Sequence, residues 1–151
     1  MDPIIETWQI HNRINLYLLE NIAEEALAGQ SASKGRTVGQ QFAHIHGVRM
    51  MWLKAAAPQL LEGLPKIEKE NISKAILKDA LELSEKAISQ LFELAGPGGK
   101  IKGFKPHATA FLGYLISHES HHRGQIMLAL KQSGHMVDQK TQYGIWEWGT
   151  R

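Results

Sequence analysis

Four long stretches carry apolar residues at helical spacing, each closed by Gly, Pro or Ser punctuation, and this pattern points to an all-helical fold. The first runs from Pro3, a proline suited to an opening turn, to about Leu27, with Ile4, Trp8, His11, Leu18 and Ile22 on one stripe. Gly29 to Gly35 reads as a loop. The second begins near Thr37, a good N-cap residue, and runs to about Ala57, where Pro58 ends it. The connection from Pro58 to Ile72 contains Gly63 and Pro65 and is long enough to cross over a bundle. The third starts at a Ser73 cap, presents Ile76, Ala80, Leu83, Ala87, Leu91 and Leu94 as its apolar face, and stops at Gly96-Pro97-Gly98-Gly99. The fourth starts after Pro106 and ends at Gly134, a glycine where a helix C′ residue is expected. The aromatic tail from Gln142 to Gly149 is too short for another packed helix and is expected to lie against the bundle. No repeat, low-complexity tract or strand-like alternation competes with this reading.

At 151 residues, 43% of them apolar, the chain has material for one core, so residues 1–151 are expected to form a single domain. Four helices with one long crossover fit a four-helix bundle, a common host for metal sites. Although the pI is near 8.9, the formal net charge is only +2, and the densest basic stretch is Lys100, Lys102 and Lys105. A nucleic-acid binder concentrates Lys and Arg on one stripe, so no nucleic-acid partner is expected. The absence of cysteine removes disulfides, thiolate ligands and a protein sulfur nucleophile. The N-terminus lacks the apolar run of a signal peptide, and no apolar segment reaches the ~20 residues that span a bilayer. The expectation is a cytoplasmic protein with no membrane partner.

The eight histidines are unevenly placed. His44 and His46 fall on the second predicted helix; His118, His121 and His122 fall on the fourth. Residues four apart share a helix face about 6 Å apart, so His118 and His122 can close on one ion at metal–nitrogen distances of ~2.0–2.1 Å. Packing gives no reason for two imidazoles in one place, whereas a lone histidine on an apolar face is usually a core residue with one hydrogen bond. The pair needs a third ligand, and His44, mid-helix on what should be the buried stripe, is the candidate. Three neutral nitrogens with an open position are the layout of a catalytic rather than a structural ion. Around them, Glu119, His121 and Gln125 are candidates to orient the ligands. Arg123 is a candidate to bind a substrate carboxylate, or else forms an ordinary inter-helix ion pair. His46 is rotated ~200° from His44 and should face away, while His11 reads as a buried histidine of the first helix. His107 and His135 lie at helix ends.

The run from His118 to His122 also matches the metalloprotease signature H-E-x-x-H, in which the glutamate is a general base. The extended form of that signature needs glycine at 125 and histidine at 128, where this chain has Gln125 and Leu128. A glutamate as third ligand would have to come from the tail, where only Glu147 is well placed, and nothing upstream resembles an edge strand for a peptide. Proteolysis is therefore the weaker reading.

His118-Glu-Ser-His-His-Arg-Gly-Gln-Ile126 resembles the late-helix motif of the DinB-like four-helix proteins. Thr37-Val-Gly-Gln-Gln-Phe-Ala-His44-Ile, followed by Trp52-Leu53, resembles that family's second-helix motif, and Tyr143-Gly-Ile-Trp-Glu-Trp148-Gly resembles the end of its members. The resemblance implies a down-up-up-down bundle, a three-histidine metal site at His44, His118 and His122, and frequent homodimers. It also implies kinship with thiol S-transferases that use low-molecular-weight thiols such as bacillithiol, and with a mycothiol-dependent isomerase. The expected cofactor is one divalent ion, zinc or nickel first, with iron or cobalt also compatible with three imidazoles. The expected function is a metal-dependent thiol S-transferase acting on a small molecule. A non-enzymatic metal-binding stress protein is the alternative from another class, and a metal-dependent hydrolase is third.

Overall fold

In a computed structural model, which describes residues 1–151, the helix starts follow capping chemistry written in the sequence. Helix α1 (Pro3–Glu20) opens on Asp2, whose carboxylate accepts the Ile4 N–H at 2.9 Å. Helix α2 (Val38–Ala56) opens on a capping box: the Gln40 N–H donates to Thr37 Oγ1 at 3.1 Å, and the Thr37 N–H donates to Gln40 Oε1 at 3.0 Å. Ser73 caps α3 (Lys74–Ala95), and His107 caps α4 (Ala108–Gln132), its Nδ1 accepting the Ala110 N–H at 3.1 Å.

Three boundaries or faces differ from the sequence reading. The first helix ends at Glu20, because Asn21 donates its side-chain N–H to the Tyr17 carbonyl at 2.8 Å, a local bond that competes with another helical turn. Ala26 and Leu27 still reach the core, but from a separate 3-10 turn over Glu24–Ala28. On α3 the buried face is centred on Leu77, Leu81, Ser84 and Ile88, and Leu94 stands 65% exposed. This helix packs against both α1 and α2, so its core face is broad and turned from the predicted stripe. The tail, expected to be non-helical, holds a short helix, α5 (Gln139–Gly144), capped by Asp138. Its Gly144 lies so close to the Tyr17 ring that a Cβ there would collide with it.

Lys74 Nζ, at the start of α3, donates to the carbonyls of Glu20 and Ile22 beyond the end of α1, so these two helices run antiparallel. The crossover from Ala57 to Ser73 returns along the bundle, which makes α3 parallel to α2. It is tied down where the His46 Nε2–H donates to the Pro65 carbonyl at 2.7 Å and where Ile72 packs on Gly39. Helix α4 then runs antiparallel to α2, giving the down-up-up-down bundle. None of the helices is long and apolar enough to cross a membrane.

The apolar core is divided in two. One cluster gathers Leu18, Phe42, Ile45, Leu81, Ile126 and Leu130; the other gathers Trp8, Leu53, Ile88, Phe92, Phe111 and Leu115. Between them lies a buried polar layer to which all four long helices contribute. The Glu119 carboxylate accepts Arg49 Nε at 2.8 Å, Arg49 Nη2 at 2.7 Å, Asn15 Nδ2 at 3.0 Å and His11 Nε2 at 3.1 Å. Arg49 spends its other donors on Asn12, Ser84 and the Leu81 carbonyl, and its guanidinium lies 4.7 Å over the Trp8 ring. Burial alone would raise the Glu119 carboxyl, but Arg49 and His11 bring it down to about 2.

Candidate metal centre

Because α2 turns Phe42, Ile45, Arg49 and Leu53 inward, His44 falls at the edge of its buried face, half-exposed and directed at α4 rather than set in the core stripe. Across the groove, α4 turns Leu115, Glu119 and Ile126 inward and places His118 and His122 beside His44. The ring nitrogens that His44, His118 and His122 can offer lie within 4.8 Å of one another. The ring centroid of His44 is 4.5 Å from that of His122 and 5.5 Å from that of His118.

The protonation pattern follows from the neighbours. His122 Nδ1 faces two amide oxygens, Gln41 Oε1 at 2.8 Å and Gln125 Oε1 at 3.0 Å, so it must carry the proton and donate to both. That leaves Nε2 of His122 as a lone pair, 3.1 Å from Nε2 of His118. Two ligands of one ion with bonds of ~2.0–2.1 Å stand roughly 2.9 Å apart at right angles and roughly 3.3 Å apart at the tetrahedral angle, a range that contains this separation. His118 Nδ1 is buried without a partner. All three rings are held neutral. Burial pushes His122 down to about 4, helped by His118, His44 and His121. Burial also lowers His44, with Arg36 and His118 adding to it, and lowers His118, with His121 and Arg36 adding to it. Three neutral imidazoles, one with its tautomer fixed through Nδ1, are a donor set suited to a divalent ion of the zinc type.

Gln125 lies one turn beyond His122 on α4 and accepts its Nδ1–H. His121 is exposed, with its ring edge-on to His122 at 5.0 Å. Glu119 departs from its expected role beside the ligands: it points into the polar layer, and its hydrogen bonds go to Arg49, Asn15 and His11. A rotation of about 100° per residue separates it from His118. Arg123 departs too, because its Nη1 donates to Asn15 Oδ1 at 2.7 Å and its Nη2 to Ser120, which commits a buried guanidinium to α1 rather than to a ligand. His46 faces the crossover, as its rotation required.

Sequence reasoning missed three residues. Gln41, one helical turn before His44, holds His122 from the facing helix; its i, i+3 spacing to a candidate ligand was the available signal. Arg49 sits on the stripe of Phe42, Ile45 and Leu53, and a charge there demands a buried partner. Arg36 stands at the mouth of the groove, where its charge acts on both His44 and His118.

The family model described as "DinB family" matches residues 2–97 and 98–148. Two solved structures share the fold. A DinB-like protein (YjoA) from Bacillus subtilis superposes with a TM-score of 0.64 at 19% identity, covering 91% of this chain and 96% of its own. A DinB-like protein from Bacillus cereus superposes with a TM-score of 0.63 at 19% identity, covering 91% of this chain and 95% of its own. No curated protein matches the sequence.

Proposed function

The chain belongs to the DinB family, and from that premise we propose a metal-dependent protein acting on a small molecule, in which His44, His118 and His122 hold one divalent ion. The observation that carries the proposal is the convergence of three neutral imidazoles in a chain without cysteine. Zinc or nickel is the first choice of ion, with iron or cobalt also compatible with the donor set. The reaction proposed is thiol S-transfer. When bound, the ion supplies Lewis acidity that lowers the pKa of a thiol from its ordinary ~8.5. The chain's own part is to hold the three rings neutral, to fix His122 through Gln41 and Gln125, and to keep competing protein thiols out of reach by having none. The sulfur then comes from a low-molecular-weight cosubstrate.

Hydrolysis by the H-E-x-x-H route is disfavoured by the state of Glu119. A carboxylate held at about 2 and bound by Arg49, Asn15 and His11 has neither the basicity nor the access of a general base. With Glu119 turned away, the cluster of three histidines includes no carboxylate, which favours, as a second reading, a metal-binding stress protein without catalysis. The exposed Tyr143 and Trp146 of the tail support the proposal of a homodimer, and the cysteine-free composition suits a cytoplasmic setting.

The deciding experiment is elemental analysis of the purified protein, followed by a steady-state assay of the metal-loaded form with thiols and electrophiles. Thiol-dependent conjugation that disappears on chelation and in His122→Ala is expected. Full metal occupancy with no turnover across the thiol panel would favour the second reading.

A further inference from the structure

Beside His44, on the side away from the aromatic rings of Trp52 and Tyr114, α2 and the crossover border an open cavity of about 310 Å³, with Arg36 and Lys69 exposed at its rim. That volume lies at the low end of the range of small-molecule sites. Its lining sorts into three parts: His44 itself; the apolar side chains of Ala43, Ile67 and Ile72; and two cations, Arg36 and Lys69, with Gln40 of the α2 capping box beside them. Neither Arg36 nor Lys69 has a salt-bridge partner; the ion pairs of this protein are those of Glu119 with Arg49 and of Arg151 with Glu147. No carboxylate lines this cavity. Glu24, Glu25 and Glu70 border the adjoining hollow that Lys69 also touches, and Glu24 is already engaged by the Lys74 N–H.

Arg36 is placed by a loop that is pinned at several points. Lys34 and Gly35 adopt left-handed backbone conformations, φ 68° and φ 92°, which turn the chain into the α2 cap. The Gln30 side chain donates to the Gly35 carbonyl at 2.6 Å, and the Ala32 N–H donates to Gln132 Oε1 on α4 at 2.6 Å. Arg36 also borders a second hollow lined by Gln41 and Gln125, the two residues that hold His122. It therefore stands between both approaches to the histidines.

We propose that this cavity is an anion-binding subsite, in which Arg36 and Lys69 receive the carboxylate or phosphate of a small-molecule substrate while its apolar part lies on Ile67 and Ile72. Arginine's planar fork suits both anions through paired, charge-assisted bonds. A group anchored there holds the rest of the molecule next to His44. The inference deepens the reading of the three-histidine groove as a substrate site and rests on it, but the anion-binding step belongs to Arg36 and Lys69 and not to the ion.

The test is titration of the isotope-labelled protein, zinc-loaded and chelated, with succinate in one arm and inorganic phosphate in the other, followed by NMR. Saturable shifts centred on Arg36, Gln40, Ala43 and Ile72 are expected in at least one arm, and the tighter arm identifies the group. Arg36→Gln should weaken that binding about tenfold, the loss of one charge-assisted pair. Arg36→Lys should restore part of it, and Lys100→Gln in the remote basic loop should leave it unchanged. Flat titrations in both arms, an Arg36→Gln variant with wild-type affinity, or shifts centred on Lys100–Lys105 would each overturn the proposal. Failure of the metal reading looks different: zinc is not retained, while Arg36-dependent shifts persist in the chelated protein.

Discussion

Arg49 grips Glu119 at two points, 2.8 and 2.7 Å, at the centre of the bundle and across 70 residues of sequence. The pair ties α2 to α4, the two helices that carry the three histidines, so the polar layer sets the register of the groove on their outer side. Glu119→Gln keeps the shape but leaves a buried guanidinium without its counter-charge, and such a loss costs about 3–5 kcal/mol. Arg49→Met combined with Glu119→Leu should be less destabilising than the two single changes added together, because neither charge is then left alone. Urea unfolding of the four proteins of this cycle, together with Glu119→Gln, measures both quantities. A Glu119→Gln loss of a few tenths of a kcal/mol would contradict a paired buried charge.

Acid should destabilise the metal-free protein in two stages. The folded-state values of His11, His44, His46, His118 and His122 all lie below the ordinary 6.5, chiefly through burial, so the unfolded chain takes up protons first as pH falls. Stability is therefore full above that value and declines below it, for His122 down to about 4. Glu119, held at about 2 against an ordinary 4.5, extends the decline from pH 4.5 toward 2. Melting temperature measured from pH 8 to pH 3 should fall through both windows, and Glu119→Gln should lack the lower stage. A melting temperature unchanged between pH 7 and pH 5 would be inconsistent with the buried neutral rings.

Removal of a ligand should remove the ion. His118→Ala or His122→Ala each deletes one of three protein ligands and should abolish most bound metal. Gln41→Leu, which touches no ion but removes one of the two oxygens that hold His122 Nδ1, should weaken metal affinity about 10- to 100-fold. Competition with a chromophoric chelator reads all three variants. Retention of a full equivalent of metal by both alanine variants would place the ion elsewhere.

Metal release should be steep in pH, because imidazole binds only when neutral. Protons compete at three rings whose values lie below 6.5, that of His122 at about 4, so affinity should fall from pH ~6 and most steeply toward pH 4, with up to three protons taken up per ion lost. An ion that binds only the folded state also raises its stability. Chelation should therefore lower the melting temperature at pH 8 and have little effect near pH 4. A shallow, one-proton dependence with no chelator effect on melting would point to an adventitious surface ion.

A homodimer should scatter light as twice 16.9 kDa. Tyr143 and Trp146, 64% and 73% exposed, are the aromatic residues of the tail free to contribute to such an interface, whereas Trp148 packs against the chain's own core. A monomer mass at high micromolar concentration, unchanged by Trp146→Ser, would rule the dimer out.

The sequence by itself determined where helices begin and which residues share a face. Capping residues and helical period act within a few residues, so Thr37, Ser73 and the His118–His122 pair were readable without the fold. The same locality explains what was not readable. Period says that Glu119 lies 100° from His118, but not which direction is inward, and only packing against α1 and α2 turned Glu119 to Arg49 and the histidines to the groove. Leu94 shows it on a smaller scale, since two neighbouring helices rotated the buried face of α3. Gln41 meets His122 across 81 residues, and Arg36 comes to line one cavity with His44 only because its loop is pinned to α4 across 100 residues. Contacts over such distances depend on how helices are rotated against each other, and that rotation is a property of the assembled core.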